Sequence, residues 1–253
     1  MGIYCPSTSN GYPGVGGVSY TVSFRCGDYT TGFVFAYKLG FSTKLVAECC
    51  SHESGHTLGL SHQSSYNGTC TLVATYNAGQ CSGEIGWAPV MGNSYYRNFS
   101  GWNNGPTPSG CTADQDNLSI ITSDNGFTYR QDDHSDDPNI TPTILPFNNN
   151  SFSGSGIIST NVDKDVFKIN FSKQGALHLD IKPFSVGANN DGADLDVKVS
   201  LLDASMQVIQ VYDDPATLNA VVDTMLNAGN YFLVVEGAGN ANISDYGSLG
   251  SYT

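Results

Sequence analysis

HESGHTLGLSH, residues 52–62, is the stretch from which the rest of the chain is best read. His52 and His56 are four apart, so on a helix they lie one above the other and aim both imidazoles at one point. Glu53 follows the first histidine, a place from which a carboxylate reaches a metal's water without itself being a ligand. Gly59 permits a left-handed exit from the helix, and that turn swings His62 back toward the same point. Three neutral imidazoles with an open fourth position form the donor set of a catalytic rather than a structural zinc. The plainer alternative is a histidine-rich amphipathic helix whose side chains are satisfied by neighbours, and it leaves the motif's spacing unexplained.

The pattern HExxHxxGxxH resembles the zinc-binding motif of the metzincin clan of metalloendopeptidases. That resemblance implies zinc on His52, His56 and His62, Glu53 as general base, and protein or peptide substrates. It also implies an α+β peptidase domain built from a sheet, the active-site helix and a C-terminal helix. In that clan a methionine turn gives the imidazoles an apolar floor, a role that falls to Met91 within GWAPVMG, residues 86–92. The alternative is a methionine filling a gap in the core. Some metzincins carry a tyrosine ligand two residues later, where this chain has Asn93; Tyr95 and Tyr96 follow as candidate pocket residues.

Upstream, residues 4–17 are rich in Gly and Pro and read as loop. Val18, Tyr20, Val22 and Phe24 alternate with Ser19, Thr21 and Ser23, the period of a half-buried strand. GGVSYTVSFRC, residues 16–26, resembles the edge strand on which metzincins bind substrate. FVFAY, residues 33–37, predicts a buried neighbouring strand. Ser42 or Thr43 can cap the helix that follows, with Leu45, Val46 and Cys49 or Cys50 beneath the sheet. The clan places more structure before its zinc helix than is found here, and no signal peptide opens the chain, so a truncated N-terminus is expected.

Downstream, residues 114–122 predict the last helix of this region, with Thr112 and Gln115 at capping-box spacing and Leu118 and Ile121 as its apolar stripe. The acidic run DDHSDDP, residues 132–138, is either a calcium site or a solvated linker. Beyond residue 146 short alternating segments recur between Gly, Asn and Asp, which predicts an all-β antiparallel sandwich. NVDKDVFKI, ADLDVKVSLLDA and LNAGNYFLVVEG, in that order, resemble the bacterial pre-peptidase C-terminal domain. The resemblance implies a noncatalytic accessory module, with polysaccharide or matrix as candidate contacts. Asp191, Asp194 and Asp196 are candidate calcium ligands or turn-forming acids. The expected organisation is a peptidase domain over 1–131, an acidic linker over 132–145 and the sandwich over 146–253.

With 10 basic against 23 acidic residues, the net charge of −13 argues against nucleic acid or an anionic membrane as partner. No apolar run is long enough to span a membrane. The 7 cysteines all precede residue 112 and lack CxxC spacing, which favours disulfides in a secreted protein, with Cys70 and Cys81 bracketing a loop as the preferred pair. Two functions fit: a secreted zinc endopeptidase, possible calcium included, or a noncatalytic adhesion protein whose peptidase part is inactive.

Overall fold

A computed structural model of the chain describes residues 2–4, 12–148 and 151–253. Residues 5–11 of the expected N-terminal loop, Cys5 among them, lie outside the described residues. The chain divides into two compact units, Met1–Thr128 and Tyr129–Thr253.

The first unit is organised by one helix, α1, Thr43–Thr57. Ser42 caps it, its side chain accepting from the Leu45 N–H at 3.4 Å. One face carries Cys49 with the half-buried Leu45 and Val46, and these pack against Val34 and Leu39. A three-stranded sheet supplies that surface: Thr31–Val34 lies between Gly2–Tyr4, which is parallel to it, and the edge strand Gly17–Val18, which is antiparallel.

Three expectations are corrected here. The α+β class does not hold, because strands take 36% of the residues and helices 12%. The helix expected over 114–122 starts late: Gly110–Asp116 is a strand paired with Asn104–Thr107, and the helical turns run over Asn117–Ser119 and then, as a π-helix, over Ile120–Asp124. The capping-box reading fails because the Gln115 side chain turns instead to the main chain of Ser61, while Asp116 accepts from the Ser119 N–H at 2.9 Å. The strand expected through Phe24 ends at Val18. Beyond it Val22 adopts a left-handed φ of 63°, and the chain turns to donate Val22 N–H to His56 O and Phe24 N–H to Thr57 O. Those carbonyls belong to the last turn of α1, where helix geometry leaves acceptors open, and His56 O also accepts from the Gly59 N–H at 3.0 Å.

The described disulfide is also a correction, since Cys70 bonds Cys111 rather than Cys81. Ser64 N–H donates to Pro106 O and the Tyr66 hydroxyl to Thr107 O, so the loop after His62 lies along the 104–116 hairpin and reaches Cys111 first.

The second unit is a β-sandwich. Its larger sheet runs Thr143–Ile144, Lys164–Phe171, Gly229–Gly237, Val197–Leu202, Val208–Tyr212, with only the first pair parallel. Gly175–Ile181 pairs antiparallel with Ala220–Leu226. Alternate residues face inward, and Phe167, Ile169, Leu177, Val199, Leu201, Val222, Leu233 and Val235 form one buried cluster. The stretch expected as a linker packs on this unit: Asp136 accepts from the Lys164 N–H at 2.7 Å, Ser135 O from the Val166 N–H, and the His134 ring lies 4.6 Å from that of Phe167. No described helix is long and apolar enough to cross a membrane.

Candidate metal centre

The last turns of α1 present His52 and His56, and Gly59, at φ 103°, turns the chain so that His62 meets them. One nitrogen from each of the three rings lies within 4.8 Å of the others, and the Nε2 atoms of His56 and His62 are 3.1 Å apart. Tetrahedral zinc with bonds of about 2.0–2.1 Å holds its ligand nitrogens about 3.4 Å apart, so the trio needs little adjustment to accept one. The helix histidines are held by carbonyls: His52 Nδ1 donates to Val90 O and His56 Nδ1 to Leu60 O, both at 2.7 Å. Each bond fixes the tautomer in which Nε2 keeps its lone pair for a metal. Burial, with the neighbouring His56, lowers the pKa of His52 and of His62 to about 4, so both rings are neutral at neutral pH. The donor set therefore fits zinc.

Glu53 is 6% exposed and borders the same cavity, of about 570 Å³. Burial raises its pKa, against the Ser19 hydroxyl, which donates to Glu53 Oε2 at 2.7 Å. Space for the carboxylate comes from Gly17, where an added Cβ would lie 2.7 Å from Glu53 Oε1. Met91 is fully buried against Gly55, one residue before His56, and its carbonyl accepts from the Gln63 N–H at 2.7 Å. The methionine thus ties the segment beyond His62 to the underside of the helix. Tyr95 lines the cavity, whereas Tyr96 is 76% exposed and does not.

Four contributors escape a reading of the sequence. Gly17 on the edge strand and Ser19 just beyond it support Glu53, and Tyr76 places its ring 4.2 Å from that of His62. Gln115 holds Ser61, next to His62, through both its main-chain groups. Behind the site, Lys44 and Glu48 form a buried ion pair at 2.8 Å, with Ser94 donating to Glu48 and Lys44 donating to the carbonyls of Ser94 and Tyr95. That pair fastens the segment after Met91 to α1.

The candidate calcium set is not assembled. Among the described residues, Asp191, Asp194 and Asp196 form no group of converging ligand atoms: Asp194 is exposed, while the buried Asp196 accepts from the Asn240 amide. Carboxylates converge elsewhere in the second unit, at Asp132, Asp163 and Asp165. Asp163 Oδ2 accepts from Ser159 N–H and Asp165 Oδ2 from the Tyr252 hydroxyl, each at 2.5 Å. The other oxygen of each is buried without a hydrogen-bond partner. Burial and the surrounding acids raise the pKa of Asp165 to about 7.

No family model and no curated protein matches the chain. Among solved structures, the pre-peptidase C-terminal domain of collagenase from Bacillus anthracis is similar over 39% of this chain and 80% of its own, with 13% identity and a TM-score of 0.29. A likeness that slight transfers no function.

Proposed function

We propose that the chain is a secreted zinc-dependent endopeptidase. The observation that carries this is the convergence of His52, His56 and His62 beside a buried Glu53 on the wall of one open cavity. His52, His56 and His62 would hold the metal through ring nitrogens. Zinc at such a site supplies Lewis acidity, bringing the pKa of water near neutrality and polarising a carbonyl.

Glu53 takes a proton from the water that adds to the peptide carbonyl carbon, then delivers it to the nitrogen as the C–N bond breaks. Its raised pKa suits both halves of that work. Ser19 engages Oε2, which leaves Oε1 for the proton. The strand Gly17–Val18 lies at the edge of its sheet and borders the cavity, so an extended peptide can pair with it. The Cys70–Cys111 disulfide suits an oxidising compartment outside the cell.

Casein hydrolysis by the full chain tests this. Glu53→Gln is expected to retain zinc and lose activity by about 10²–10⁴-fold, the usual contribution of a general base. Undiminished hydrolysis in the variant would remove Glu53 from the chemistry; zinc binding without hydrolysis in the wild type would favour the noncatalytic alternative.

A calcium site at Asp132, Asp163 and Asp165 is the second element of the proposal. Two buried carboxylate oxygens without partners carry it, since a hard dication with oxygen ligands would relieve that arrangement.

A further inference from the structure

We infer that the ring of Tyr76 is a positioning element for His62, doing for the loop histidine what main-chain carbonyls do for the two on the helix; this rests on the metal-centre reading above. The three histidines are not held alike. His52 and His56 stand on α1 and each anchors Nδ1 on a carbonyl, Val90 O and Leu60 O. His62 leaves a loop, and its described hydrogen-bond contact is the one between its Nε2 and that of His56, on the side where a metal would sit. Among the described residues nothing bonds its Nδ1.

What His62 has instead is an aromatic wall. The Tyr76 ring lies 4.2 Å from the His62 ring at 41° and 6.4 Å from that of His52 at 24°. The tyrosine's own backbone is fixed on both sides. Ser64 Oγ donates to Thr75 O, Asn77 N–H to Gln63 O, and Asn93 N–H to Asn77 O, each at 2.8 Å. Its position is therefore set by the residues just after His62 and just after Met91. Ring contact at this distance restricts imidazole rotation, the freedom that a missing Nδ1 bond would otherwise leave.

Because contact with the ring is what matters, phenylalanine should replace tyrosine and alanine should not. The test is zinc affinity of the full chain, measured by competition with a chromophoric chelator, together with the visible spectrum of the cobalt-substituted protein. Tyr76→Ala is expected to weaken zinc by about tenfold, within the range of second-layer supports, and to alter the cobalt bands. Tyr76→Phe should restore both, which a general folding defect would not allow. Wild-type affinity and spectrum in Tyr76→Ala would overturn the role, as would equal loss in Tyr76→Phe, which would point to the hydroxyl. A wild-type chain that takes up no zinc would instead remove the centre itself, and Tyr76's part in it.

Discussion

Gly17 is a glycine for a reason that only the folded chain reveals. An added Cβ would meet Glu53 Oε1 and Cys49 Sγ, both at 2.7 Å, and the carboxylate would have to move. Gly17→Ala is therefore expected to keep zinc and to lower kcat for peptide hydrolysis by about 10²-fold, the scale of a roughly 1 Å misplacement; unchanged kcat would show that Glu53 tolerates displacement. The histidines, by contrast, were legible in the sequence. Helical i,i+4 spacing and a glycine exit are local geometry, and local geometry is written in consecutive residues. Ser19, Tyr76 and Gln115 were not legible, because each reaches the site from a segment whose approach depends on tertiary contacts. The same holds for Asp132, which meets Asp163 and Asp165 across about thirty residues of chain.

Elements follow the same division. In the sandwich, Lys164–Phe171 and Gly229–Gly237 are central strands buried on both faces, with Phe167, Ile169, Leu233 and Val235 in one cluster and Val166, Phe232 and Val234 in another, so their apolar residues run on rather than alternate. Ala220–Leu226 alternates buried and exposed positions, but Val221 and Met225 sit on its outer face and blur that pattern in the sequence. The helix expected over 114–122 begins only at Asn117 for a different reason: a capping-box spacing is only a hydrogen-bonding opportunity, and here Gln115 serves Ser61 instead. On the sheet, Glu236 joins two neighbouring strands by pairing with Lys164 at 3.1 Å and Lys198 at 2.9 Å. Burial alone would raise its pKa, but the hydrogen bonds and charges of Lys198 and Lys164 outweigh burial and lower it. The stabilisation from a carboxylate whose folded pKa is depressed is present above its unfolded value, near 4.5, and is lost as pH falls through the folded value. Glu236→Gln should therefore cost about 1 kcal/mol in urea unfolding at pH 7, with the gap from wild type closing under acid; a constant gap would mean that the lysines contribute little.

At the scale of the molecule, the sequence places a change of construction near residue 131, and the chain divides between Thr128 and Tyr129. The acidic stretch beyond that point belongs to the second unit, packed through Asp133, His134, Ser135 and Asp136. Two units with separate cores are expected to unfold in two calorimetric transitions. Calcium should raise one of them by mass action, and Asp165→Asn should abolish that rise; a shift that survives the substitution would place the ion elsewhere. The zinc centre lies wholly within the first unit, so its occupancy can be tested directly. Metal content by mass spectrometry of the purified full chain, with His56→Ala alongside, is that measurement. One zinc per wild-type chain and loss of it from the variant are expected, whereas zinc retained by His56→Ala, or absent from the wild type, would contradict a centre built on His52, His56 and His62.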